Sequence, residues 1–240
     1  MPVKLVSVNI EGDKHISAVY AFIKNELPQI ISLQEVFKSD LQNIADVFGM
    51  HSLFLPMSKK MVKRNNGKDQ SEEIGIALLS SSPFLSHNLE YYFGTEQVSD
   101  YWDPLKVSRG VLWGTVEFQQ KNITVAVTHF MWTPNGETSD LQRNEFPMLL
   151  NILKKSRPHV FVGDLNAARG QEIFDAIAQE YTDNIPASVQ TTIDPVLHRV
   201  KNLQLVVDAL FSSSEYQVSD VHVVTGISDH CAITCMVERL

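Results

Sequence analysis

The 240-residue sequence predicts an α+β fold, a four-layer sandwich in which two packed, mostly antiparallel β-sheets are flanked by helices. Three observations lead there. Strand-like runs outnumber helical ones. Some successive runs are joined as hairpins and others through helices, a mixture that fits packed sheets better than a barrel of alternating units. No Pro/Gly/Ser-rich linker, internal repeat or low-complexity tract interrupts residues 1–240, so a single domain is expected, and a hydrophobic content of 44% is ample for its core.

Taken in order, residues 3–10 read as a strand ending at Asn9-Ile10-Glu11-Gly12. Asp13 is placed to cap a helix whose Ile16, Ala18, Val19, Phe22 and Ile23 recur at helical spacing. Residues 30–33 form a buried strand ending in Gln34-Glu35, and Ser39-Asp40-Leu41-Gln42 has the form of a capping box opening a helix that Gly49 stops. Strand-like runs follow at 51–56, 74–79, 111–118 and 123–129. A second box-like start, Ser139-Asp140-Leu141-Gln142, opens a helix to Lys155 that Pro147 should kink or break in two. A short strand ends at Asp164, a helix covers about 171–181, and strands at 205–211, 217–224 and 230–237 close the chain.

Charge narrows the partners. With 20 Lys+Arg against 28 Asp+Glu, the formal balance of −8 repels nucleic acid and anionic membranes on average, so tight sequence-independent duplex binding is not expected. No window approaches the roughly 20 apolar residues of a membrane span. Met1-Pro2-Val3-Lys4 lacks the basic-then-apolar pattern of a signal peptide, and the expected compartment is cytoplasmic. Cys231 and Cys235 lie four apart in one strand-like run, too far apart to bridge and without zinc-ligand partners, and read as small buried residues.

The run Val160-Phe161-Val162-Gly163-Asp164-Leu165-Asn166 organises the chemistry. A buried strand excludes acids, so a carboxylate where it meets a loop is held rigidly at the lip of the fold; strand spacing puts Asp164 and Asn166 on the same side. A simple turn is the competing reading. Asn9 and Glu11, Glu35, His129, Asp164 and Asn166, and Asp229-His230 all sit at or just beyond the ends of apolar runs. Together they describe a common rim. Its carboxylate and amide oxygens suit a hard cation such as Mg²⁺ or Mn²⁺, and its histidines suit a phosphoryl oxygen or a proton in transit.

At this point the chain resembles the endonuclease/exonuclease/phosphatase superfamily, the deoxyribonuclease I-like proteins. The matching pieces are Val8-Asn9-Ile10-Glu11-Gly12, Leu33-Gln34-Glu35, Thr128-His129, Gly163-Asp164-Leu165-Asn166 and Ser228-Asp229-His230, in the family's order and spanning the chain. The resemblance implies that Glu35 is the main ligand of Mg²⁺ or Mn²⁺, with Asn9 and Glu11 assisting and Asp229 close by. It implies that Asp164 orients or deprotonates the attacking water, that Asn166 holds the phosphate, and that His230 stabilises the phosphoryl oxygens with its ring fixed by Asp208. It also implies a second phosphate contact at His129, and Arg109, Trp132 and Asn135 are candidate substrate contacts. Two departures stand out: the first motif has Glu11 where the family usually has Asp, and the loop Phe130-Met131-Trp132-Thr133-Pro134-Asn135-Gly136 matches no subfamily well.

Other candidates have more than one reading. Lys59, Lys60, Lys63, Arg64 and Lys68 cluster around Asn65-Asn66-Gly67, either as a phosphate-backbone contact or as a solvated mobile loop. Tyr91, Tyr92, Phe93, Tyr101 and Trp102 crowd a long connection, where they stack on bases, line a lipid pocket or join the core. Arg109 contacts phosphate or makes a surface ion pair. Thr191-Thr192-Ile193-Asp194 with His198, Arg199 and Asn202 forms a substrate wall or merely caps its loop. The expected activity is divalent-metal-dependent phosphoester hydrolysis, most readily a phosphodiesterase on nucleic acid of the DNA end-processing or endonuclease type. A small-molecule phosphatase, acting for instance on an inositol phosphate, is the alternative, and a non-catalytic binding module the third. No membrane and no obligate protein partner is expected, and a monomer is.

Overall fold

The structure, a computed structural model, describes residues 1–63, 69–98 and 107–240. Among them the elements run β1 (Val3–Asn9), α1 (Ile16–Glu26), β2 (Ile30–Phe37), α2 (Lys38–Phe48), β3 (His51–Lys63), β4 (Asp69–Ser80), β5 (Phe84–Phe93), β6 (Arg109–Phe118), β7 (Lys121–His129), α3 (Asp140–Lys155), β8 (Val160–Asp164), α4 (Glu172–Ala178), β9 (Thr182–Asp183), β10 (Asp208–Ser212), β11 (Tyr216–Val224) and β12 (Ala232–Arg239). They form two six-stranded sheets, ordered β11-β12-β1-β2-β4-β3 and β5-β6-β7-β8-β10-β9. The α+β sandwich expected from the sequence is the fold observed.

Each sheet is antiparallel except for one central parallel pair, β1 with β2 and β7 with β8. A parallel pair needs a crossover, and helices supply both, α1 between β1 and β2 and α3 between β7 and β8. The two-residue period then sorts side chains between layers. Leu5, Ile30, Leu55 and Ile76 meet Val111, Val125 and Val127 between the sheets. Val6, Val8, Ile31 and Leu33 face the other way, beneath Val19, Phe22 and Ile23 of α1 and Leu41 and Ile44 of α2. The same parity carries Ser7, Asn9, Ser32 and Gln34 to the side between the sheets, where Gln34 Nε2 donates to Ser32 Oγ at 2.9 Å and Ser7 Oγ at 3.4 Å. The interior therefore turns polar toward the C-terminal ends of β1 and β2.

Close approach of the second parallel pair depends on Gly163. Its φ is 129°, and a Cβ there would stand 1.9 Å from the Thr128 carbonyl oxygen, so only glycine lets β8 lie against β7 at this level.

Several local expectations are corrected. Asp13 does not occupy the cap: His15 does, without a capping side chain, and α1 starts at Ile16. Ser39 opens no capping box either, because α2 follows β2 directly with Phe37 at its N-cap, and the Ser39 hydroxyl donates to Glu72 at 2.7 Å. Gly49 does end α2 in the left-handed conformation. The box at Ser139 and Gln142 is complete, and α3 runs on as a single helix through Pro147. Residues 59–63 are no loop: Lys59, Lys60 and Lys63 extend β3 in register with Glu73, Glu72 and Asp69. The rest of that stretch, Arg64 to Lys68 in number 64–68, lies outside the described residues, as do Tyr101 and Trp102. Tyr91, Tyr92 and Phe93 belong to β5, a strand the sequence hid inside a supposed connection. Tyr92 is buried with its hydroxyl 2.9 Å from Thr128 Oγ1, and Tyr91 donates to the Pro56 carbonyl at 2.8 Å, so both serve the core and its edge. Cys231 and Cys235 are free and buried, as expected.

Candidate active site

Both parallel pairs end at the same rim. Register sets Asn9 of β1 beside Gln34 of β2, and His129 of β7 beside Asp164 of β8. Antiparallel β10 then brings Asp208 opposite Asp164. Ligand sites of open α/β sheets gather at such carboxyl ends, where side chains leave the packed core but keep its rigidity.

Glu35 arrives by a different device than the strand end expected. β2 continues to Phe37, and its pairing with β4 shifts between Leu33 and Val36, with Glu35 at φ 55°. This bulge breaks the alternation of the strand and turns the Glu35 carboxylate toward the other sheet: Oε1 is 3.4 Å from Asn9 Nδ2 and 4.0 Å from His129 Nε2. Asn166 also departs from the extended reading. At φ 49° it closes a turn in which its own N–H donates to Asp164 Oδ1 at 2.8 Å, while its Nδ2 donates to the Phe130 carbonyl at 3.1 Å.

The centre is one carboxylate oxygen. Asp164 Oδ2 lies 3.1 Å from Asn9 Nδ2, 3.5 Å from His129 Nε2 and 3.6 Å from His230 Nε2, while Oδ1 is held by the Asn166 amide. Burial pushes the Asp164 carboxyl up to about 7 against the opposing effect of His230. His230 in turn places Nδ1 at 3.0 and 3.1 Å from the two oxygens of Asp208. Burial alone would lower the His230 imidazolium, but Asp208 and Asp164 outweigh it and hold the ring well above its ordinary value. His129 is its opposite: burial, the Arg109 guanidinium and His230 hold it well below, so it is neutral. The rim thus pairs one charged and one neutral imidazole around a single acid.

The remaining candidates divide. Asp229 stands beside Glu35 closely enough that, after burial, its charge is the next cause raising the Glu35 carboxyl. The Glu11 carboxylate is engaged by Lys14 and, at 3.2 Å, by His15 Nε2. Arg109 is not at the surface, as an ion pair there would need: it is buried, and its Nη1 donates to the His129 carbonyl at 3.0 Å. It lines a small cleft with Glu35, Met57, Ser58 and His129. Asn135 and Trp132 are exposed on the loop after His129.

Two oxygen-rich groupings could hold a cation. Ligand atoms of Asp164, Asp208 and His230 lie within 4.8 Å of one another. There, however, the His230 ring already lies between both acids, each nitrogen facing a carboxylate. Glu35 and Asp229 offer hard oxygen donors and a concentration of negative charge that a divalent cation would offset, which fits the group expected from the sequence.

A family model described as the Endonuclease/Exonuclease/phosphatase family matches residues 6–230. The chain belongs to this endonuclease/exonuclease/phosphatase family. Its members generally hydrolyse phosphoester bonds and typically use divalent metals. Solved structures share the fold at low identity. The catalytic domain of human Nocturnin with bound sulfate superposes with a TM-score of 0.72 at 18% identity, over 100% of this chain and 94% of that one. A mannosyl-6-phosphatase of Bacteroides thetaiotaomicron gives 0.72 at 14%, over 98% and 99%. D. rerio TDP2 complexed with single-strand DNA product gives 0.67 at 14%, over 99% of each chain. No curated protein matches this chain in sequence.

Within this family fold, one supporting element was only half legible. Thr192 Oγ1 accepts the N–H groups of Val207 and Asp208 at 3.0 and 3.1 Å. The Thr192 carbonyl accepts from Cys231, the Asp194 N–H donates to the Asp229 carbonyl, and Ile193 bridges to His230. Asp194 itself caps its loop, accepting from Val196, Leu197 and, at 2.7 Å, Gly226. The loop-capping reading of this stretch holds for Asp194, while Thr192 ties Asp208 and His230 to one backbone. The polar run signalled it; its partners are distant in sequence and gave no local sign.

Proposed function

We propose that the protein is a divalent-metal-dependent phosphodiesterase that cleaves a nucleic-acid phosphate ester, of the end-processing or endonuclease type. The observation that carries this reading is the convergence on Asp164 Oδ2 of nitrogen atoms from Asn9, His129 and His230, with the His230 ring backed by both oxygens of Asp208.

Glu35 and Asp229 would hold the cation, with Asn9 beside them, and bound there it would offset charge on the phosphoryl oxygens. The chain's own groups account for the rest. Asp164 positions a water for in-line attack and accepts its proton as the new P–O bond forms. The opposite P–O bond breaks, and the departing oxygen keeps the electron pair and is protonated by solvent. His230, charged and fixed by Asp208, donates toward the phosphoryl oxygens where negative charge develops, and neutral His129 donates a second hydrogen bond from Nε2. Glu11, engaged by Lys14 and His15, assists only through water or by ordering the 11–15 turn.

A small-molecule phosphatase is the second reading. It is favoured by the register that sets Lys59, Lys60 and Lys63 opposite Glu73, Glu72 and Asp69, so that acids stand among the cations of a candidate nucleic-acid surface on an already acidic chain. A panel of nicked and 5′-blocked DNA, RNA, bis-p-nitrophenyl phosphate, inositol phosphates and sugar phosphates, each with Mg²⁺ or Mn²⁺, separates the two. Turnover of the diesters is the expected result. Turnover confined to phosphomonoesters would shift the assignment to the second reading, and no turnover of any ester would overturn both. The protein is proposed to act as a monomer, without a membrane or obligate protein partner.

A further inference from the structure

The loop after His129 exposes a large aromatic ring where packing does not require one. Phe130, Met131 and Thr133 are buried, whereas Trp132 between them is 50% exposed. The loop is not free to hide it. Phe130 N–H donates to the Asp164 carbonyl and its carbonyl accepts from Asn166 Nδ2. The Met131 carbonyl accepts from Gln142 Nε2 at 2.8 Å, Thr133 Oγ1 donates to the Asn166 carbonyl at 3.2 Å, and the Gly136 carbonyl accepts from Ala168. Trp132 is thus an exposed indole on a backbone bolted to Asp164 and Asn166.

A cation completes the arrangement. The guanidinium of Arg199 lies over the Trp132 ring, 5.7 Å from its centroid. Arg199 belongs to the segment that leaves Asp194, whose backbone is bonded to Asp229 and whose neighbour Ile193 bridges to His230. Two loops rooted in opposite sides of the catalytic group therefore meet through an aromatic face and a positive charge. An exposed indole with an adjoining guanidinium offers a flat surface for a planar ring and a donor for a nearby phosphate. That combination is what sequence-tolerant binding of single-stranded nucleotides uses.

We propose that Trp132 and Arg199 form a stacking platform for a nucleobase next to the scissile phosphate, so that the enzyme grips its substrate through an unpaired base more than through the phosphate backbone. This rests on the phosphodiesterase reading for its chemistry, but it explains a separate fact: a chain of formal charge −8 has little general attraction for a polyanion and needs another source of affinity.

The test uses a single-stranded DNA oligonucleotide and the same strand with abasic sites flanking the cleaved phosphate. For the wild type, kcat/KM is expected to be higher on the base-bearing strand. The ratio between the two strands should fall on the order of 10-fold in Trp132→Leu, mainly through KM, and should recover largely in Trp132→Phe. Arg199→Ala should lower the ratio less. Binding is read separately in an Asp164→Asn background, where the base-bearing strand should quench tryptophan fluorescence and Trp132→Leu should abolish that quenching. Turnover with an unchanged ratio in Trp132→Leu would overturn the platform and leave the phosphodiesterase reading standing. Absence of any diester turnover, with Trp132-dependent quenching retained, would overturn that reading and leave the platform. Loss of both signals would remove both.

Discussion

At the scale of single residues, the site is a problem of holding charges that burial disfavours. Asp164 is almost fully buried and is tolerated because four polar hydrogens face its two oxygens. Replacing it with Asn keeps the shape and removes the proton acceptor, so Asp164→Asn should lower kcat by about 10³-fold or more in steady-state assays. Its melting temperature should stay near that of the wild type, since the substitution also relieves the cost of a buried acid. A second buried titratable group lies far from the rim. His159 is fully buried between Ser156 and Tyr181, and burial pushes its imidazole down to about 4. Because the folded value lies below the ordinary 6.5, the unfolded chain binds the proton more readily, and this part of the stability is complete above the unfolded value and lost as pH falls toward the folded one. Urea titrations between pH ~7 and ~4.5 should therefore show the wild type losing about 2–3 kcal/mol more than His159→Phe. The residue identities of the rim were legible because acids and imidazoles at the ends of apolar runs are conspicuous. Their protonation states were not, since these depend on burial and on neighbours from other strands: nothing local distinguishes His129, held neutral, from His230, held charged.

At the scale of elements, periodicity located most strands and helices, and it failed where tertiary pairing overrode the local pattern. β5 was hidden because its exposed residues, Ser86, His87 and Asn88, carry no apolar alternation, yet each pairs with β6. The basic half of β3 read as a loop because its lysines carry no apolar alternation, and only pairing with β4 makes it a strand. Ser139 was read correctly as a cap, whereas Ser39 has the same signature and a different use, because β2 runs into α2 without a break. The bulge at Glu35 belongs to this scale too, for an insertion in pairing is invisible until the partner strand is known. The segment 192–194 offers the clearest test of an element's role. Thr192→Val removes the acceptor of two buried N–H groups, and a loss of about 1–3 kcal/mol in denaturant titrations is expected. Activity should fall further than stability explains, because Asp208 and His230 lose their common brace; the fall should lie in kcat rather than KM, with Thr192→Ser restoring it.

At the scale of the whole molecule, acidic balance and site geometry set how substrate is approached. On a chain of formal charge −8, cleavage of DNA should depend weakly on salt: a plot of log kcat/KM against log salt should be shallow, with a slope near −1 to −2, reflecting one or two phosphate contacts. A slope of about −5 or steeper would require a basic surface beyond the site proposed. Among the described residues no helix is long and apolar enough to cross a membrane. The sequence by itself determined the layered α+β fold and the family, because burial periodicity and five short polar motifs are local properties of the chain. It also named nearly all the groups at the rim. Only the tertiary structure decided how they work together. A parallel register set His129 beside Asp164, the packing of sheet on sheet brought Asn9 to it, a bulge turned Glu35 across the gap between sheets, and a turn and a brace committed Asn166 and Thr192 to holding backbone. These outcomes arise from pairing between segments up to 155 residues apart, as Asn9 and Asp164 are, and such pairing leaves no trace in the residues of either segment alone.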